Sequence, residues 1–195
     1  MKTLVWDVDD VLNDLTRAWL EDWSSVAGAV PPAYDRLVGN PPHELLGMSR
    51  KNFLASLDDF RLCGKAAKLP PLPPTFDWFC LHGEKCRNIA LTAAPLCAAP
   101  VSAQWVMNHF GKWIRSFNIV PSHREGDGPG RYWSSKSEFL AWWGKCDMLI
   151  DDCEENIAGA KALGIRTLLF PRPWNSSHLS TSETLGIITE FIHNG

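Results

Sequence analysis

The stretch Leu4-Val5-Trp6-Asp7-Val8-Asp9-Asp10-Val11-Leu12-Asn13-Asp14 constrains this chain more than any other. It begins as a short apolar run, the pattern of a strand buried on both faces. Three acids then fall within four positions: Asp7, Asp9 and Asp10. Carboxylates at the end of a buried strand are costly unless a cation or a reacting group meets them. In open α/β sheets, that end of the strands is also where ligands bind. The plainer alternative is a polar strand-to-helix turn in which one acid caps the helix.

The rest of the chain alternates in the way such a sheet requires. Strands are predicted over residues 2–6, 88–91, 114–120, 148–150 and 166–170. Helices are predicted over residues 12–26, 75–82, 101–110, 136–144, 157–163 and 181–193. Leu12, Leu15, Trp19, Trp23 and Val26 give the first helix its three-to-four spacing. This alternation implies a parallel sheet covered on both faces, a three-layer Rossmann-like α/β core with right-handed crossovers. Residues 31–74 break the pattern, with prolines clustered at both ends and no strand between. Their one convincing helix starts at the candidate N-cap Ser49 and presents Phe53, Leu54, Leu57 and Phe60 on one side. The expected division is a core of residues 1–14 and 71–195 with a small helical cap, residues 15–70, inserted after the first strand.

Composition sets limits on function. A formal net charge of −3 offers no general attraction to a nucleic-acid polymer or an anionic membrane. The six cysteines contain no Cys-x-x-Cys pair, which argues against a zinc ribbon or a thioredoxin-type site. The histidines are scattered without paired spacing. With no basic-then-apolar leader and no apolar run of membrane length, a cytoplasmic protein with reduced thiols is expected. Ten tryptophans against two tyrosines mean that indole rings carry much of the buried area.

Four features fall at or beyond the carboxyl ends of different predicted strands: Asp7 with Asp9, Thr92, Lys136, and Asp151 with Asp152. In a parallel sheet these ends share one edge, so the residues converge. Carboxylates gathered there need a cation, and an all-oxygen set suits Mg²⁺. A hydroxyl and an ammonium complete a site for a phosphoryl group.

In order and spacing these features resemble the four motifs of the haloacid dehalogenase (HAD) superfamily of phosphohydrolases. Asp7-Val8-Asp9-Asp10-Val11 matches the first motif and Ile89-Ala90-Leu91-Thr92 the second. Lys136 matches the third, and Leu149-Ile150-Asp151-Asp152 the fourth. Asp7 to Asp14, Leu91-Thr92-Ala93-Ala94-Pro95, Trp105-Val106 with Phe110-Gly111, and Phe170-Pro171-Arg172-Pro173-Trp174-Asn175 resemble more narrowly the 5′(3′)-deoxyribonucleotidase branch. That branch often has Gly where this chain has Asp10.

The resemblance implies an HAD-like core and a Mg²⁺-dependent phosphomonoesterase acting through an aspartyl-phosphate. Asp7 is then the nucleophile, and Asp9 the acid and base. Thr92 and Lys136 bind the phosphoryl group. The metal is held by Asp7, the Asp9 backbone carbonyl and Asp151, with Asp152 behind it or bound through water. The implied substrate is a small phosphate ester, with (deoxy)nucleoside monophosphates first, and sugar phosphates or other small metabolites as the alternative. A non-catalytic nucleotide-binding or phosphate-binding module is a third reading.

Other assignments stay open at this stage. Lys145, Arg124 or Arg131 competes with Lys136 as the phosphate partner. Asp152 is also suited to capping the helix that follows it, and Asp10 to turn chemistry. Phe53, Trp19, Trp23 and Trp174 are candidates either for stacking on a substrate or for the cap's own core. The segment 122–126 is a candidate closing loop.

Overall fold

The computed structural model describes residues 1–28, 30–39, 41–122, 124 and 133–194. Five parallel strands form one sheet: β1 (Thr3–Trp6), β2 (Arg87–Ala94), β3 (Ile114–Pro121), β4 (Met148–Asp151) and β5 (Arg166–Leu169). Their order across the sheet is β3-β2-β1-β4-β5. The chain leaves β1 towards β2 and β3, then returns to lay β4 on the other side of β1. The order therefore switches between β1 and β4, where open α/β sheets form a crevice.

Side-chain alternation divides the core into two layers. Leu4 and Trp6 of β1 and Met148 and Ile150 of β4 face one side, joined by Phe79, Trp105, Phe110 and Ile188. Val5 and Leu149 face the other, with Leu91, Phe139, Leu140 and Ala160. Period-two side-chain direction on strands buried on both faces accounts for this split. The first layer is covered by α3 (Pro73–His82), α4 (Ala99–Phe110) and α7 (Thr181–His193), and the second by α5 (Lys136–Trp143) and α6 (Glu154–Ala162). Trp6 is fully buried, and its Nε1 donates to Asn88 Oδ1 at 2.9 Å. Its ring lies 5.1 Å from that of Trp78 and 4.9 Å from that of Phe79.

The segment between β1 and β2 begins with α1 (Leu15–Ala27) and contains α2 (Arg50–Leu62). Leu15, Trp19, Leu20, Leu37, Phe53, Leu57 and Phe60 form a third apolar cluster, drawn almost wholly from this segment. Ser49 caps α2 as expected, its side chain accepting from the Asn52 N–H. No strand is found here among the described residues, also as expected.

The three element boundaries that differ most from the predicted ones, each by three residues, do so for local reasons. The predicted first helix starts at residue 12, but α1 starts at Leu15, because residues 8–14 coil into a tight turn in which the Leu12 N–H and the Asn13 N–H both donate to the Val8 carbonyl. β2 runs on to Ala94, so Thr92 lies inside a strand rather than at its end. α6 starts three residues earlier than predicted, at Glu154, where acids in the first turn favour a helix start. No helix among the described residues is long and apolar enough to cross a membrane.

Candidate active site

Strand register brings the acids together. Trp6 pairs with Ile150, and the Asp7 N–H continues the ladder to the Ile150 carbonyl at 2.9 Å. One residue past Trp6 and Ile150, the side chains of Asp7 and Asp151 fall on the α5 side of the sheet. Lys136 is the first residue of α5, and Ser135 caps that helix by accepting from the Glu138 N–H. The Lys136 ammonium is thereby placed 2.7 Å from both Asp7 Oδ1 and Asp151 Oδ2. Lys136 is only 1% exposed. Thr92, also 1% exposed, lines the same cavity from the neighbouring strand.

Asp151 and Asp152 have different surroundings. Both Asp151 oxygens are engaged: Oδ2 by Lys136, and Oδ1 by the Cys153 N–H at 2.9 Å and Asn156 Nδ2 at 3.0 Å. Asp152 lines the cavity and Asp151 does not. Asp152 Oδ2 accepts from Trp174 Nε1 at 2.8 Å. The expected order, Asp151 on a metal and Asp152 behind it, is thus not the order of access. Nor is Asp152 the helix cap, since it is Asp151 that accepts from the Cys153 N–H at the start of α6.

One buried ammonium faces three buried carboxylates. Oxygens of Asp7, Asp151 and Asp152 lie within 4.8 Å of one another. Burial, against the pull of Lys136 and with the repulsion of Asp151, raises Asp7 to about 7. Burial, then the charges of Asp7 and Asp151, holds Asp152 well above the ordinary carboxylate range. Burial alone would lower Lys136, but Asp151 and Asp7 together keep it above its ordinary value and charged. The cluster thus gathers three carboxyl groups around one lysine in an all-oxygen setting, where burial and mutual repulsion oppose ionising all three without a further cation.

Asp9 takes a different environment. Its Oδ2 accepts from Arg61 Nη2 at 2.8 Å, while among the described residues Oδ1 has a single 3.4 Å contact, with Asn13 Nδ2. Asp10 belongs to the turn: its φ of 63° lies in the left-handed region, which favours Gly but tolerates Asp. Thr16 binds both its oxygens, through its N–H and its hydroxyl, and Arg172 Nε donates to the Asp10 carbonyl. Burial, opposed by Arg172 and Thr16, raises Asp10 to about 6.

A cavity of about 200 Å³ joins these groups. Its floor includes Asp7, Asp9, Thr92, Lys136 and Asp152, and its far wall includes Arg50, Phe53, Leu54, Leu57 and Arg61. Of the four aromatic residues considered for stacking, Phe53 lines the cavity. Trp19 is core, 1% exposed with its Nε1 on Ser56, Trp23 stacks on Trp19, and Trp174 serves Asp152. Among the alternatives to Lys136, Arg124 lines the cavity and Lys145 is exposed after the end of α5. Arg131, His123 and most of the candidate closing loop lie outside the described residues.

Sequence reasoning missed Arg61, Asn156 and the hydrogen-bonding role of Trp174. Arg61 carried a signal: residues 53, 57 and 61 fall four apart on the apolar stripe of α2, and Arg61 is a charge on that stripe.

No family model matches the chain, and no curated protein matches it. Solved structures do. A haloacid dehalogenase-like family hydrolase from Streptococcus pneumoniae superposes with a TM-score of 0.65 at 13% identity, over 98% of each chain. A protein from Bacillus subtilis described as a HAD-hydrolase bound to magnesium gives 0.60 at 12% identity, again over 98% of each chain. A protein from Clostridium acetobutylicum described as a predicted phosphatase gives 0.60 at 15% identity, over 97% of this chain and 98% of that one. At such identities the likeness concerns architecture: this chain has the fold of the HAD-like hydrolases.

Proposed function

We propose that the protein is a phosphomonoesterase of the HAD type, acting on a small phosphorylated metabolite through an aspartyl-phosphate. The observation that carries this reading is the Lys136 ammonium held between Asp7 and Asp151 beside the open carboxylate of Asp152. The donor set fits Mg²⁺, with Asp7, Asp152 and the Asp9 carbonyl as its holders and Asp151 fixing Lys136. When bound, the ion offsets the carboxylate charge so that an anionic nucleophile meets an anionic phosphate.

The chain's own residues supply the remaining steps. Asp7 Oδ1 is held by Lys136 and by the Val8 N–H, each at 2.7 Å, which orients the carboxylate. A carboxylate oxygen of Asp7 attacks phosphorus, the ester P–O bond breaks, and Asp9 gives its proton to the leaving oxygen. Asp9 then takes a proton from water as that water attacks phosphorus, releasing inorganic phosphate and restoring the Asp7 carboxylate. Lys136 and the Thr92 hydroxyl hold phosphoryl oxygens.

Residues 15–70 form the cap in this reading and choose the substrate. A cavity of about 200 Å³ in which Phe53 is the one aromatic lining residue among the described residues favours a small ester. The finer reading, a 5′-nucleotidase-like enzyme on (deoxy)nucleoside monophosphates, is supported by the motif resemblance and by Phe53 alone. A phosphate-release screen over sugar phosphates, phosphorylated short acids and nucleotides, with Mg²⁺ and with chelator, tests both. Asp7→Asn is expected to stop turnover on every active ester while leaving the thermal melt cooperative. An active Asp7→Asn protein would remove the nucleophile from the scheme.

A further inference from the structure

The cap helix α2 touches the floor of the cavity at Asp9 through Arg61. Arg61 is buried, and its two terminal nitrogens are divided between two acids: Nη2 on Asp9 Oδ2 at 2.8 Å and Nη1 on Asp58 Oδ1 at 3.0 Å. Asp58 is held in turn from the core side. Arg124, in the segment after β3, donates to it from Nε at 2.6 Å and Nη2 at 2.9 Å, while Arg124 Nη1 is anchored on the Ser122 carbonyl and hydroxyl. The result is a continuous line, Asp9–Arg61–Asp58–Arg124–Ser122, that crosses from the β1 turn over α2 to the end of β3. Arg61 Nε is buried with no hydrogen-bond partner among the described residues. A buried guanidinium that leaves one of its own donors unsatisfied is oriented for its partners rather than for its own solvation.

Resting on the phosphatase reading above, we propose that Arg61 is a positioning residue for Asp9, buttressed by Asp58 and Arg124, so that the cap completes the proton-transfer apparatus as well as the substrate wall. Arg61 fixes Asp9 Oδ2 and leaves Oδ1, with its long 3.4 Å contact to Asn13, as the oxygen available for proton exchange with the leaving group. A planar fork aimed at two carboxylates is a role for Arg and not for the point charge of Lys. An α2 helix lifted from the sheet takes this anchor with it, so proton transfer to the leaving oxygen is tied to a seated cap.

The test uses leaving groups, because proton donation matters for a poor leaving group and little for a good one. The full chain with Mg²⁺ is assayed on phenyl phosphate and on 2,4-dinitrophenyl phosphate. Arg61→Met is expected to lower kcat on phenyl phosphate by on the order of 10²-fold. The kcat ratio of the two esters should shift at least about tenfold in the direction that Asp9→Asn shifts it. Arg61→Lys should recover part of that shift. Equal losses on both esters, or a loss confined to KM, would overturn the proposal and leave the phosphatase reading standing. Wild-type protein inert on both esters would overturn both. Asp58→Asn provides the same reading if Arg61→Met does not fold. Its expected result is a smaller shift in the same direction, and an unchanged ratio counts against the proposal.

Discussion

Two adjacent acids, chemically identical and both buried, hold different positions in this molecule, and substitution should separate them. Asp151 is fully buried, with Lys136 on one oxygen and a backbone N–H and Asn156 on the other. Asp151→Asn breaks a buried ion pair, and chemical denaturation should show a loss of about 3–5 kcal/mol. Asp152 has Trp174 on one oxygen and like-charged neighbours around it. Asp152→Asn should leave metal-free stability equal or higher, because it removes a buried acid whose ionisation is opposed by burial and by Asp7 and Asp151. It should also abolish the rise in melting temperature on adding Mg²⁺. A variant that still responds to Mg²⁺ as the wild type does would take Asp152 off the metal. The sequence placed both acids at the right strand end because a strand ending in paired acids is a local pattern. Which of them faces the cavity is settled by Lys136, fifteen residues earlier, and by Trp174, twenty-two residues later, through hydrogen bonds no local pattern records.

At the scale of elements, α2 is the piece whose local stability matters most. Its N-cap bond, Asn52 N–H to Ser49 Oγ at 3.1 Å, is exposed, so its removal tests the helix and little else. Ser49→Ala should cost about 1 kcal/mol. If residues 15–70 open as a unit separate from the sheet, amide exchange over 50–62 should quicken about fivefold while β1 and β4 amides keep their protection. Equal quickening in the sheet would mean that cap and core open together. Every strand and α-helix of the core among the described residues was legible from periodicity and from the prolines and glycines between segments. The length of the turn before α1 was not. Leu12 continues a helical spacing, but Asp10 in the left-handed region and three N–H groups converging on the Val8 carbonyl hold the chain out of a helix until Leu15. Likewise Trp19 and Trp23 were legible as a helix face, but whether that face met a ligand or Phe53 depended on packing between segments.

Charge accounting extends to the whole molecule through stability against pH. In the folded metal-free protein Asp10 is raised from 3.8 to about 6 and Asp7 from 3.8 to about 7. A group raised in the folded state holds a proton that the unfolded chain gives up, so its contribution is complete below the unfolded value and is lost as pH climbs through the folded one. With chelator present, the melting temperature should therefore fall between pH 5 and 8. The surface acids Glu138, Glu154 and Glu183 are lowered by their serine partners and act below this window, so they do not mask the trend. Excess Mg²⁺ should flatten the fall, since a bound cation favours the ionised carboxylates. Parallel profiles with and without Mg²⁺ would dissociate these acids from any metal.

The central place of β1 has a consequence for how the protein is made. The Thr3 N–H closes on Asp147 across 144 residues, and Arg172 reaches back to the turn at Asp10 across 162. A ribosome releases β1 well before its partners on either side, β2 and β4, and before the residues that seat its acids. Until then a fully buried, apolar strand of the sheet has two bare edges, a template for pairing with the wrong chain. Closing loops of that length before any pairing is rewarded makes for slow folding. The nascent chain therefore passes through a long vulnerable interval in which a chaperone has work to do, and the acid cluster acquires its chemistry only once β4 and the segment around Arg172 have been made.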